Sequence, residues 1–132
     1  MSSLELAAPV RTGGRMRRKN TLLKCLEICR DLHPNFGLPD VIAFLYVCEN
    51  EGLTMAELAY VSQHAVATAS RRVRSLGPEG QPGSLEPYLG LVDFTPNPDD
   101  ERGRLMRLTA EGRALRDRLD QVIGDAVAIA QA

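Results

Sequence analysis

The chain has 132 residues, 44% of them hydrophobic, and a formal net charge of −1. That length and composition suit one domain with its own core and exclude a disordered chain. No apolar run approaches the ~20 residues of a membrane span, and the N-terminus lacks the apolar stretch of a secretory signal.

Tryptophan is absent and aromatic residues are 5%, so the core is expected to be aliphatic. Cys25, Cys29 and Cys48 lie inside apolar helical patterns. An odd number of thiols in such places points to a reducing cytoplasm and no disulfide framework. Net charge says nothing about a nucleic acid, but its distribution does. Arg11, Arg15, Arg17, Arg18 and Lys19 form an acid-free cluster, and Arg71, Arg72 and Arg74 form a second. The acids concentrate after residue 77. This asymmetry is compatible with a polyanion on one face.

Residues 1–19 read as a flexible basic arm with no helical apolar face. Arg15, Arg17, Arg18 and Lys19 either touch phosphates or form a soluble leader. Asn20 or Thr21 caps a first helix over 21–33, with Leu22, Leu26 and Cys29 on one face and Leu23 and Leu32 beside them. Pro34 and Gly37 end it. Pro39 opens a second helix, where its missing N–H costs nothing. Val41, Ile42, Phe44, Leu45 and Cys48 give that helix a broad apolar face, and Gly52 stops it.

Thr54 and Glu57 form a capping box for a short third helix from Met55 to about Val61, with Leu58 and Val61 directed inward. After a polar break at Ser62–Gln63, a fourth helix is expected from His64 to Leu76. Residues 77–90 are Gly/Pro-rich and form a long loop, either an insertion or a functional segment. Leu91–Thr95 and Leu105–Leu108 read as strands, the second at an edge, joined by a charged tip that carries Asp99, Asp100, Glu101 and Arg102. Thr109 caps a last helix expected to run to 130. Its Leu115, Leu119, Val122, Ala126 and Ile129 alternate spacings of three and four, an a/d seam that must pack on the first helix or on another chain.

Two helices joined by a tight turn and followed by a two-stranded wing make a winged helix-turn-helix: an α+β fold, mostly α, flanked by N- and C-terminal dimerisation helices. The expected parts are a helix-turn-helix over 54–76, a wing over 90–108, and flanking helices over 21–33 and 109–130. At 100° per residue, Ser62, Ala65, Val66, Ala69, Val73 and Leu76 share the buried face of the fourth helix. Gln63, His64, Ala67, Arg71 and Arg74, flanked by Thr68, Ser70 and Ser75, form an acid-free outer face. Small side chains let such a helix enter a major groove. Gln63 and His64 can bond base edges, and Arg71 either bonds guanine bidentately or clamps a phosphate. Arg102 and Arg104 can reach a minor groove, with Asp100 bracing Arg102, unless the pair is only a surface ion pair.

LTMAELA, ATASRRVRSLG and GLVDFTPNPDDERGRLMRLTAEG resemble the MarR family of bacterial winged-helix transcriptional regulators, over roughly residues 38–131. In the wing the match rests on Asp100, Arg102, Leu108, Thr109 and Gly112; in the recognition helix it rests on Thr68, Ser70 and Arg71. The resemblance implies a homodimer on a partly palindromic operator, with the fourth helix in the major groove and the wing in the minor groove. It also implies control by a small ligand, whose identity the sequence leaves open, or by an oxidised cysteine. The chain departs from the family pattern at Ser62, Gln63 and His64 and in the length of the 77–90 loop. With no second C-terminal helix expected, the dimer interface would rest on the first and last helices.

Cys25 and Cys29, at i and i+4, are read as core thiols. His33 and His64 are isolated, so no metal site is expected. No nucleophile–base pair or phosphate loop appears, so neither enzyme activity nor a cofactor is expected. The leading expectation is a cytoplasmic, dimeric regulator that binds double-stranded DNA and no membrane. The alternatives are a winged-helix protein-interaction module that does not read DNA, and a cysteine-based redox-responsive regulator.

Overall fold

The computed structural model describes residues 11–12, 15–16 and 18–131. The elements run β1 (Arg11–Thr12), β2 (Arg15–Met16), α1 (Thr21–Leu32), α2 (Leu38–Glu49), β3 (Leu53–Thr54), α3 (Met55–Ser62), α4 (Val66–Arg74), β4 (Val92–Asn97), β5 (Asp100–Leu108) and α5 (Ala110–Gly124). The fold is mostly helical, with a three-stranded antiparallel sheet in the order β3–β5–β4.

Local chemistry sets the helix starts. The Asn20 side chain accepts from the Leu23 N–H at 2.8 Å, which makes Asn20 the cap of α1. Thr54 and Glu57 close a reciprocal capping box at 3.1 and 2.9 Å around the start of α3. Thr109 caps α5 by accepting from Gly112 N–H at 3.0 Å, while its hydroxyl donates to the Gly90 carbonyl at 2.7 Å. A Cβ at position 112 would collide with the Leu91 carbonyl oxygen, so glycine is what lets α5 start against the base of the wing.

β5 is the central strand, not the expected edge. Gly52, at φ +94°, turns the chain out of α2 and donates from its N–H to the Met106 carbonyl at 2.7 Å. Leu53 and Thr54 then pair with Met106 and Leu105. A two-residue strand of this kind carries too little alternation to be seen in sequence.

Phe44, Val47, Leu58, Val73, Leu76, Leu91, Val92 and Met106 form the heart of the core. Among the described residues its aromatic members are Phe36 and Phe44, whose rings meet edge-on with centroids 6.4 Å apart. Ile42 and Leu45 of α2 and Val61 of α3, expected inside, are exposed. They sit at the margin of apolar stripes wider than this small body can cover.

α5 stops at Gly124 rather than reaching 130. Glycine costs about 1 kcal/mol in a helix, and the residues beyond it find other partners. The Thr21 N–H donates to the Val127 carbonyl at 2.9 Å, and Val127 N–H donates to the Thr21 hydroxyl at 2.6 Å. The Gln131 amide donates to the Arg18 carbonyl at 2.7 Å. Residues 127–131 are thus strapped across the start of α1.

Within the expected arm, Arg11 pairs with Met16 and Thr12 with Arg15 in a two-residue ladder. Arg17 lies outside the described residues. Arg18 is 3.1 Å from Asp125, and Lys19 is 2.7 Å from Glu27. Exposed pairs of this kind are worth ~0–1 kcal/mol and exchange readily for other anions.

Candidate nucleic-acid interface

The sequence order α3, turn, α4, β4, β5 supplies a helix pair and a wing. α3 ends where the Ser62 hydroxyl donates to the Leu58 carbonyl at 2.7 Å and Gln63 takes the left-handed conformation, φ 60° and ψ 35°. The His64 N–H then donates to the Ala59 carbonyl at 3.1 Å. Gln63 and His64 therefore belong to the turn and not to the outer face of α4, a correction to the expected helix start. The left-handed residue takes up the change of direction that glycine usually provides. His64 lines a pocket of about 240 Å³ between α2, α3 and α4, together with Ile42, Tyr46, Leu58 and Arg72.

Ala69 and Val73 bury the inner face of α4. Val66, expected on that face, is exposed because it lies in the first turn, beyond the reach of the core. Ala67 and Arg71 are exposed, and Thr68 and Ser70 are half-buried beside them. Among the described residues neither Arg71 nor Arg72 has an ion-pair partner. Arg74, expected on the outer face, instead donates through Nε to the Gly83 carbonyl at 2.6 Å. It points into the 77–90 loop.

The wing turns at Pro98–Asp99, so Asp100, Arg102 and Arg104 stand on β5 and not at a loop tip. The register shifts between Pro96 and Asn97. Asn97 pairs with Asp100 and Pro96 with Arg104, which leaves residues 101, 102 and 103 bulged out of the ladder. Asp100 accepts from the Arg102 main-chain N–H at 3.0 Å. It braces the backbone of the bulge, and no Asp100–Arg102 ion pair forms among the described residues. Arg102 is exposed. Arg104 is exposed as well and donates to the Gly103 carbonyl at 3.0 Å. Asn97, read in sequence only as a turn former, accepts from the Asp99 N–H at 2.9 Å and so also shapes the tip.

The expected seam divides. Leu115 and Leu119 are buried in this chain's own core and Val122 is half-buried, while Ala126 and Ile129 lie past the end of α5. Beside them an open groove of about 710 Å³ is lined by Leu22, Leu26, Leu45, Ile123 and Ile129 and by all three cysteines. Burial pushes the Cys25 thiol up from its ordinary value. Burial, reinforced by Cys25, raises Cys29 to about 11. Burial likewise takes Cys48 to about 12, with Arg116 opposing and Asp120, Glu51 and Glu49 adding to the rise. No helix among the described residues is long and apolar enough to cross a membrane.

Solved structures share this arrangement. A cysteine-to-serine mutant of MarR from E. coli, complexed with operator DNA, superposes with a TM-score of 0.56 at 22% identity, over 80% of this chain and 69% of that one. The S. aureus MepR–DNA complex gives 0.60 at 16%, over 79% and 77%. A transcriptional regulator from Thermotoga maritima gives 0.61 at 15%, over 80% and 66%. The chain has the MarR-type winged-helix fold. No family model matches the sequence, and no curated protein does. In this fold α3, the turn and α4 lead into the β4–β5 hairpin.

Proposed function

We propose that this chain is a sequence-specific, double-stranded DNA-binding transcriptional regulator of MarR type, working in the cytoplasm by binding rather than catalysis. The observation that carries the reading is the outer face of α4. Between Glu57 and Glu79 the chain has no acid, and within that stretch Ala67, Thr68, Ser70 and Arg71 offer small side chains, hydroxyls and an exposed guanidinium on one helix face. Such a face admits close approach to a major groove and carries donors for guanine and phosphate. The exposed Arg102 on its bulge suits the negative potential of a minor groove. Two solved structures of the same fold hold DNA, which supports the reading by analogy of fold.

A homodimer is part of the proposal. The groove along α1, α2 and α5 exposes Leu22, Leu26, Leu45, Ile123 and Ile129 together, and a second copy would cover that apolar surface. A dimer places two copies of α4 on a two-fold symmetric site, with half-sites about one helical turn apart.

Selection of bound fragments from random DNA by the full chain tests the reading. The expected result is a two-fold symmetric motif whose binding weakens steeply with salt, because phosphate contacts dominate affinity. Recovery of no motif, together with no retention on heparin, would reject DNA binding and favour a protein-interaction module.

A further inference from the structure

The 77–90 loop is a built connection between α4 and the wing. The carbonyls at the end of α4 lack partners within the helix, and the loop supplies them. Leu85 N–H donates to the Arg74 carbonyl at 2.9 Å, and Leu89 N–H to the Ser75 carbonyl at 3.0 Å. Leu91 and Val92 N–H groups both donate to the Leu76 carbonyl, at 2.8 and 3.0 Å. Gly90 N–H reaches the Gly77 carbonyl at 3.2 Å. A Cβ at Gly77 would overlap Ser84 Oγ and lie 2.7 Å from the Phe94 ring, so loop, helix end and wing meet at that residue.

Two side chains extend this connection to either side. Arg74 leaves the outer face of α4 and donates through Nε to the Gly83 carbonyl at 2.6 Å. Gln81 lies against the outer edge of β4, where its amide donates to the Phe94 carbonyl at 3.5 Å and accepts from the Phe94 N–H at 3.4 Å. Among the described residues β4 has no strand on that side. Gln81 thus occupies the main-chain groups that a further strand would pair. Phe94 stands just inside the register shift at Pro96/Asn97, beyond which the wing carries Arg102.

We propose that Arg74 and Gln81 are positioning residues which, through the 77–90 loop, set the placement of the wing relative to α4. They thereby fix the spacing at which helix and wing engage one duplex. The proposal rests on the DNA-binding reading above and assigns Arg74 to the loop instead of to DNA. A brace of this kind converts the loop's length into a specificity element. It would favour sites whose minor-groove segment lies at one distance from the base pairs read by α4.

Two measurements on the full chain test it. The first is a double-mutant cycle on selected DNA with Gln81→Ala and Arg102→Ala. Gln81→Ala should weaken binding about three- to tenfold, on the order of one lost hydrogen bond, in the wild-type wing and less than about twofold once Arg102 is Ala. Equal losses in both backgrounds, or no loss in either, would overturn the proposal. Arg74→Lys keeps the charge and removes the Nε donor, so it should lose affinity as Gln81→Ala does. Full affinity in Arg74→Lys would return Arg74 to a phosphate contact.

The second measurement needs no DNA. Residual dipolar couplings of the 92–108 amides relative to those of α4 should shift in Gln81→Ala, while couplings within α1, α2 and α5 stay fixed. Unchanged wing couplings would overturn the brace even if DNA binds. If the chain binds no DNA but these couplings shift, the brace stands and only the DNA reading falls.

Discussion

Ser75 donates a 2.8 Å hydrogen bond to the Asp40 carboxylate, so the end of α4 is tied to the first turn of α2. Ser75 is buried, and its one proton is shared with the Arg72 carbonyl, also at 2.8 Å. Charge favours the carboxylate. Asp40 in turn accepts from the Gly37 N–H at 3.3 Å, so a single carboxylate caps α2 and anchors α4. Ser75→Ala is therefore expected to cost about 1–3 kcal/mol of stability, read as a lower urea midpoint with an unchanged slope. A midpoint equal to wild type would mean the tie adds nothing beyond packing.

Capping residues and apolar periodicity made most of this architecture readable. Thr54–Glu57, Pro39 and Thr109 mark helix starts by side chains that satisfy the first N–H groups, and such short-range chemistry survives without tertiary context. The failures are long-range. Nothing in Leu53–Thr54 announces that it will pair with Met106 and Leu105. Nothing in His64–Ala65 shows that Gln63 will take a left-handed conformation and push the start of α4 to Val66. The heptad spacing through Ile129 ignored Gly124 and the two bonds that Val127 makes with Thr21. On α4, helical phase put Ala67 and Arg71 on the outer face. It also put Arg74 there, because phase cannot show the Gly83 carbonyl that draws it into the loop. Asp100 was placed beside Arg102 correctly by spacing, but its partner proved to be the main-chain N–H.

Arg71 is exposed on α4 and has no ion-pair partner among the described residues, so its removal leaves the fold's contacts intact. Arg71→Ala is expected to cost about 1–3 kcal/mol of specific DNA binding if the guanidinium contacts a base. Its urea midpoint should be that of wild type. Gel-shift titration on selected sites decides the matter; wild-type affinity would remove Arg71 from the interface.

Arg102 sits on the bulge that Asp100 braces. A narrow A·T-rich minor groove concentrates negative potential and attracts an inserted guanidinium. Arg102→Ala should therefore weaken binding most on sites with A·T-rich flanks. Equal losses on A·T-rich and G·C-rich flanks would reduce Arg102 to a phosphate contact.

Leu22 and Ile123 are 56% and 54% exposed on neighbouring helices that line the apolar groove. If that groove is the dimer surface, Leu22→Glu places a charge in it at little cost to the monomer. Sedimentation at micromolar concentration should show wild type as a dimer and Leu22→Glu as a monomer with native helicity. A monomeric wild type would remove the dimer from the proposed function.

The three thiols of the same groove give a prediction in pH. Burial holds Cys29 at about 11 and Cys48 at about 12, against 9.0 for a free thiol. Above pH 9 the unfolded chain releases these protons while the folded chain keeps them, so the folded state binds more protons and loses stability as pH rises. Their contribution is complete below pH 9 and is lost progressively up to about 11 for Cys29 and about 12 for Cys48. Cys48→Ala should therefore show a shallower alkaline decline than wild type in urea titrations between pH 9 and 11. Parallel declines would show that Cys48 is not held in its protonated form by the fold. The same protonation bears on control by oxidants. A thiol, unlike a thiolate, is a poor nucleophile, so peroxide at neutral pH should leave DNA affinity unchanged. Rapid loss of binding that Cys25→Ser abolishes would instead make the half-buried Cys25 a redox control point.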